Sequence, residues 1–311
     1  MLKRTIDQLA LSYFAFEKVD ISEFQRKARI LQSLWRTEKG YEPGLFRGRP
    51  LGNLLPMPWA RETLNNYLSD TIKNVVKKEV LNQSNKGKLY GKPRIFNNLL
   101  SSQPLCFNLF AELQKDLELA TKVFKRLSPY RVHKVLNIEF EHSPGRGNNT
   151  YTGDNSAFDV YVEFLDFIGK KGFIGIEVKY HENLINKPAE VKDRYFEVAS
   201  KVGCFKKECM SALLQSPLEQ IWRDHLLAGS LLYSPKDNFE DGIFAFLFPQ
   251  DNLHCQHAIE QYKQCLTDDR TIQSWTIEDV ARTIKQFTKD SWIDEVIDRY
   301  LNFKKIENLL C

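Results

Sequence analysis

Three features that mark common classes of protein are missing from this sequence of 311 residues. No apolar run approaches the roughly 20 residues that a membrane-spanning helix needs. The basic start of the chain lacks the apolar core and the small-residue cleavage site of a signal peptide. None of the six cysteines forms a C-x-x-C pair. We therefore expect a cytoplasmic chain with reduced thiols, and neither a membrane protein nor a disulfide scaffold.

The composition is that of a folded protein. Hydrophobic residues make up 42% of the chain, which is enough to build a core, and the net charge of +4 neither requires nor excludes a nucleic-acid partner. His254 and His257 flank Cys255 in the segment "HCQH". No further ligands stand at a spacing typical of zinc sites, so we expect these side chains to pack or to be solvated.

Residue patterns predict a helical N-terminal region followed by an α/β domain. Helical periodicity covers residues 1–36 and 59–83, whereas Gly and Pro crowd residues 40–58. A long amphipathic helix is expected over residues 101–127. Alternating or continuous apolar runs then predict strands at 130–142, 157–165 and 173–180.

Two helices and a buried strand should follow. The first helix is expected after Pro188, and the second begins at "SPLE", with Ser216 as N-cap and Pro217 at the first helical position. The apolar run "GIFAFLF" predicts a central strand. The tail reads as helical, with Thr276 and Ser291 as N-caps.

We place a boundary near residue 97. Residues 1–97 form a mainly helical region that could help to dock a substrate, and residues 98–311 form the α/β domain with a C-terminal helical extension. The order of elements predicts a mixed central sheet with helices on its faces.

Three charged residues stand at the ends of two neighbouring strands. A tight turn joins the strands that carry Asp159 and Glu177, and strand parity puts Lys179 on the same face as Glu177. Two carboxylates at such a point suit a hard cation such as magnesium, which takes oxygen ligands. A lysine beside them can stabilise developing negative charge.

An ordinary surface pair is the alternative, because a Glu and a Lys two apart are common on exposed strand edges. The flanking sequence "FIGIEV" is apolar on both faces, which favours an internal strand whose terminal charges face a cleft.

The segments "SSQPLCFNLF", "AFDVYVEF", "IEVKYHE" and "QIWRDHLLA" resemble the PD-(D/E)XK nuclease superfamily, over roughly residues 99–250. The resemblance implies the restriction-endonuclease-like αβββαβ core. It also implies that Asp159, Glu177 and the Val178 carbonyl bind Mg²⁺, or Mn²⁺ as a substitute, with Lys179 near the attacking water. Phe158 stands where the superfamily's name-giving proline would be.

Many members of the superfamily use a further acid. Glu141 at the end of the first strand is our choice, because it directly precedes the loop that leads to Asp159. Glu112 on the preceding helix is the alternative, although we expect it to be a solvated helix residue. Glu141 could equally be a solvated strand-edge acid.

Some families also use a polar residue on the helix after the third strand, where Gln220 and Arg223 lie one turn apart. A basic segment free of acids, "NKGKLYGKPR", and the Gly/Asn-rich loop before the second strand could contact phosphates. The residues concerned are Lys86, Lys88, Lys92, Arg94 and Arg146. Structural ion pairs and solvated turns are the competing interpretations.

The resemblance therefore implies a magnesium-dependent nuclease whose expected substrate is DNA, with RNA not excluded, in a setting such as prokaryotic defence against foreign DNA or the processing of DNA ends. The alternative is a nuclease-fold protein that binds nucleic acid or regulates without turnover. The sequence leaves open the recognition site, a homodimer, and a partner methyltransferase or other defence protein.

Overall fold

The structure is a computed structural model that describes residues 4–82, 87–185 and 187–310. Its regular elements, in chain order, are α1 Ile6–Ser12, α2 Glu23–Glu38, β1 Gly44–Phe46, β2 Arg49–Leu51, α3 Trp59–Thr63, α4 Asp70–Val76, α5 Arg94–Asn97, α6 Ser102–Lys115, α7 Leu117–Leu127, β3 Lys134–His142, β4 Phe158–Leu165, β5 Lys171–Val178, α8 Asp193–Val202, α9 Met210–Leu213, α10 Leu218–Leu232, β6 Asp241–Phe248, α11 Leu253–Gln264, β7 Ile272–Thr276, α12 Ile277–Phe287, α13 Ser291–Tyr300 and α14 Lys304–Leu310.

The centre of the fold is a five-stranded sheet with the order β3-β4-β5-β6-β7. The first three strands form an antiparallel meander, and β6 and β7 continue it in parallel pairing. This mixed sheet between helices confirms the predicted fold class. β7 was not predicted, because its sequence "IQSWT" buries only Ile272 and Trp275 and so lacks the alternation that signals a strand.

Helices cover both faces of the sheet. Ile174 and Ile176 of β5 join a core cluster with α6, α7, α12 and α13, whereas Phe173 joins a second cluster with α8, α10 and α11. Since β5 is buried on both faces, charged groups at its carboxyl end are held at the edge of the core.

The helix predicted over residues 101–127 is in fact two helices. The backbone leaves helical geometry at Asp116, whose carboxylate accepts the Leu119 N–H and so caps α7. A short polar side chain that can bond a nearby backbone group competes with continuation of the helix, and at Asp116 this bond interrupts the helix.

The helix predicted over residues 59–83 is likewise interrupted. Leu64 ends α3 in the left-handed region, and the Ser69 hydroxyl caps α4 by accepting the Ile72 N–H. A π-helical turn, Lys77–Leu81, follows α4 directly.

The N-cap predictions have different outcomes. Thr276 caps α12 through the Asp279 N–H, as predicted. Ser216 does not cap α10, because its hydroxyl donates to the Leu184 carbonyl at 2.5 Å instead. Ser291 is the first residue of α13 and not its cap.

The hydrophobic core continues across residue 97. Buried side chains from Phe24 to Tyr300 belong to the same cluster that packs under the sheet. The guanidinium of Arg299, fully buried, donates to Gln32 of α2 and to the backbone and side chain of Asn66. Helices at the two ends of the chain are therefore packed together.

In the described part of the chain, no helix combines the length and apolar character needed to cross a membrane. The five cysteines that the structure describes are free thiols, and four of them are buried.

Candidate active site

The carboxylates of Glu141, Asp159 and Glu177 come together because of the register of three adjacent strands. Pairing of Val160 with Ile176 puts Asp159 beside Glu177, and the pairing of β3 with β4 puts Asp159 beside Glu141. Residues on one rung of a sheet are close neighbours. The meander therefore gathers three acids that are far apart in sequence.

Glu177 is held by two donors. Its Oε1 accepts the Lys179 ammonium at 2.6 Å and the Gln220 amide at 2.8 Å. Both Glu177 and Lys179 are 7% exposed. Burial acts to lower the pKa of Lys179, but nearby carboxylates, with Glu177 foremost, outweigh it and raise that pKa. The lysine is therefore charged in a largely buried site.

Asp159 is half-buried at the start of β4 and is fixed by the backbone, since the Val178 N–H donates to its Oδ2 at 2.9 Å. Burial, and next the charge of Glu177, raise the pKa of Asp159 well above its ordinary value, although Lys179 and the Val178 N–H oppose this. Burial and the neighbouring Glu177 carboxylate thus disfavour the ionised form of Asp159.

Glu141 lies at the same edge but has a different partner. Its backbone is in the left-handed region, which is uncommon for a residue other than Gly and tends to occur at functional sites. Its Oε1 accepts the Arg146 guanidinium at 2.8 Å. Burial raises the pKa of Glu141, and Arg146 partly offsets this.

A family model of the PD-(D/E)XK nuclease superfamily matches residues 18–302. The chain belongs to the PD-(D/E)XK nuclease superfamily. The match extends beyond the resemblance noted over residues 99–250 and takes in most of the N-terminal region. A search of curated proteins finds no match. Membership of this superfamily indicates a nuclease.

In this PD-(D/E)XK protein, α10 contributes more than the two residues expected from the sequence. Gln220 reaches Glu177 as described, and Arg223 lies 3.5 Å from Glu219, from Nε to Oε1. Asp224 is 4% exposed, and its Oδ2 has no hydrogen-bond partner among the described residues. Burial, and next the charge of Glu177, raise the pKa of Asp224.

Glu219 and Asp224 were not predicted as site residues. The signal that could have located Asp224 is its spacing from Gln220, because it lies four residues after it on the same helix.

The basic loop lies against the site, but its cations differ in their surroundings. Lys88 pairs with Glu79 at 2.6 Å, whereas Lys92 and Arg94 are exposed. Lys86 falls outside the described residues. The Leu89 N–H lies near the Glu141 carboxylate and acts to lower its pKa, so this loop reaches the end of β3.

Arg146 joins several parts of the site. Besides Glu141, its guanidinium donates to the carbonyls of Gly87, at 2.6 Å, and Asn155. Together with the bond to Glu141, these contacts use three of the five N–H groups of the guanidinium. Glu112, the alternative acid, accepts the Ser69 hydroxyl at 2.5 Å and so tethers α6 to the start of α4.

The carboxylates at this edge suit a hard divalent cation that takes few of its ligands from the protein. Among the residues that the structure describes, no three His, Cys, Asp or Glu side chains are arranged as a metal cage. Mg²⁺ does not need one, because it keeps several waters and binds through one or two carboxylates. Asp159 and Glu177, whose charges repel each other, are the carboxylates that could hold such an ion.

Proposed function

We propose that this chain is a magnesium-dependent nuclease that cleaves DNA. The observation that carries the proposal is the buried Glu177 carboxylate, which accepts hydrogen bonds from Lys179 and Gln220 and lies beside Asp159. Neutral residues at such a position would avoid the free-energy cost of removing charges from water, so the charged cluster is best explained by catalysis.

Asp159, Glu177 and the Val178 carbonyl would hold Mg²⁺, or Mn²⁺ in its place. When bound, the ion offsets phosphate charge and lowers the pKa of a coordinated water. Gln220 keeps the Glu177 carboxylate oriented, and the Val178 N–H keeps Asp159 oriented. Loss of a contact that orients a metal ligand typically lowers metal affinity or activity by about 10–100-fold.

Lys179 has two functions in this proposal. Its ammonium balances part of the carboxylate charge when no substrate is bound, and it is positioned to stabilise negative charge that develops on the phosphate. Glu141 completes the acidic edge, with Arg146 limiting its negative charge.

DNA is the substrate we propose because exposed cations lie on the loop beside the acidic edge. Lys92 and Arg94 are exposed there, and Arg223 is half-buried next to Gln220. Exposed lysines and arginines contribute to affinity by neutralising backbone phosphates. Defence against foreign DNA is the setting that we propose for this activity.

The test is cleavage of linear, circular and single-stranded DNA and of RNA, in Mg²⁺ or EDTA. We expect Glu177→Gln and Lys179→Met to reduce the DNA cleavage rate by about 10²–10³-fold. The matched controls are Glu163→Gln and Lys171→Met. These two residues form an ion pair of 2.8 Å between β4 and β5, at the end of the strands that is remote from the site.

Thermal melts of all four variants establish that they are folded. Cleavage that persists in EDTA, or in both site variants, would contradict the assignment. Binding to DNA without cleavage of any substrate would favour the alternative, a nuclease-fold protein without turnover. Cleavage of RNA alone would correct the substrate.

A further inference from the structure

A cavity of about 500 Å³ lies between the start of α2 and the start of α11. We name it the α2–α11 cleft. Its apolar wall is formed by Phe24, Leu253 and Phe303, and none of Asp159, Glu177, Lys179 or Gln220 lines it. Its volume is within the range of about 300–1,000 Å³ that is typical of sites for small molecules.

The charge of the cleft selects the class of ligand. Glu23, Asp251 and Glu307 line it, against Lys27 as the only Lys or Arg among its lining residues. Lys27 is engaged by Glu23 at 2.6 Å. Within the described part of the chain, neither Asp251 nor Glu307 has an ion-pair partner. A phosphate or nucleotide would therefore be repelled, whereas a cation would be attracted.

The apolar wall narrows the class further. A small inorganic cation gains nothing from phenyl and leucyl side chains, and Leu253 is 55% exposed in the cleft. A molecule that combines ammonium groups with a methylene chain would cover this apolar surface and place its charges at the carboxylates. Aliphatic polyamines have this chemistry.

Both walls of the cleft hold the chain segment that follows Lys179. From α2, the Gln25 amide donates to the His181 carbonyl at 3.1 Å. From the start of α11, the Asn252 amide donates to the carbonyls of Tyr180 and Glu182, both at 3.0 Å.

The apolar wall makes a similar contact. The Phe24 ring packs edge-on against Tyr180, with centroids 6.3 Å apart. A ligand that draws the two walls together would therefore hold the backbone of residues 180–182, which directly follow Lys179, more tightly.

We propose that the α2–α11 cleft binds an aliphatic polyamine and that occupancy stabilises the position of Lys179. The binding part is independent of the nuclease activity, whereas its regulatory meaning rests on the proposed function. The test uses the full chain without DNA or Mg²⁺, so that failure of cleavage and failure of this proposal are distinguishable.

The binding experiment is calorimetric titration with spermidine and putrescine at physiological salt. 1,6-Hexanediol serves as the uncharged probe of similar length. We expect spermidine to bind, and Asp251→Asn/Glu307→Gln to weaken it at least tenfold. Glu62→Gln/Glu260→Gln is the matched control, because it removes the same charge from exposed positions outside the cleft.

The coupling is measured by hydrogen exchange of residues 179–182, which we expect to slow when spermidine is added to the wild-type chain. Several results would overturn the proposal. They are the absence of polyamine binding, equal affinity in the cleft variant and its control, binding of the diol as tight as that of spermidine, and unchanged exchange at saturation.

Discussion

Replacing Asp159 by Asn should stabilise the metal-free protein while removing its response to Mg²⁺. The amide oxygen of Asn can still accept the Val178 N–H, so the backbone contact is kept. The Asn side chain is neutral, so it escapes the two effects that raise the pKa of Asp159, which are burial and the charge of Glu177. Stability and function are therefore opposed at this position.

The pH dependence follows from linkage. Because the pKa of Asp159 is higher in the folded chain, folding takes up a proton once the pH exceeds its ordinary value of 3.8. The free energy of unfolding of the wild-type protein therefore falls as pH rises from there to the raised pKa. Asp159→Asn removes this contribution, so its advantage grows with pH across that window.

The magnitude can be worked out for this chain. Relief at a strained functional site is typically worth about 0.5–2 kcal/mol. With an unfolding entropy of about 2.1 cal/mol/K per residue and 311 residues, this corresponds to a Tm higher by about 1–3 °C in EDTA. Mg²⁺ at ten times its Kd should raise the wild-type Tm by about 2 °C, from about 1.4 kcal/mol of binding energy.

The assay is a thermal melt of wild type, Asp159→Asn and Asp159→Ala between pH 5 and 8, with EDTA or Mg²⁺. The Ala variant loses the bond from the Val178 N–H and should be less stable than the Asn variant. A wild-type protein as stable as Asp159→Asn in EDTA, together with an equal Mg²⁺ response in both, would refute the reasoning.

Three further predictions concern neighbouring residues. Gln220→Ala removes one of the two donors to Glu177 and should raise the Mg²⁺ concentration for half-maximal cleavage about tenfold. An unchanged Mg²⁺ titration would contradict the role of Gln220 in orienting this carboxylate. Arg146→Ala should lower the free energy of unfolding in urea by about 1–3 kcal/mol, because it removes the guanidinium that donates to the Glu141 carboxylate and to two backbone carbonyls. Lys92→Ala and Arg94→Ala should each reduce the slope of log K for DNA against log salt by about one; equal slopes would exclude these contacts.

Local rules were sufficient to predict the meander that forms the site. The alternation in β3 and β4, the tight turn before β5 and the parity of Glu177 and Lys179 all depend on nearest neighbours in sequence. The choice of Gln220 as a site residue came from the resemblance to the superfamily and not from periodicity, and its amide donates to Glu177 in the structure. The strands and the parity of their charged residues follow from periodicity alone.

Features set by distant contacts could not be predicted. β7 is a strand because it pairs with β6, and not because of its own pattern. The division of the predicted helix at Asp116 is a local effect by contrast, and it was missed because the apolar stripe continues past the carboxylate that caps α7. The engagement of Arg146 by Gly87 and Asn155 depends on a loop 59 residues away in sequence, so its structural contacts could not be read from the residue type.

Tyr180, the residue after Lys179, has a consequence for how the protein is made. Its hydroxyl donates to the Tyr300 carbonyl at 3.1 Å and accepts the Gln32 amide at 3.2 Å. Its ring meets Tyr300 edge-on, with centroids 5.3 Å apart. During synthesis these contacts cannot form until α13 has emerged. The growing chain therefore carries the strands of its site long before that site has its final support, so the site cannot be fully ordered until the α13 segment has been made.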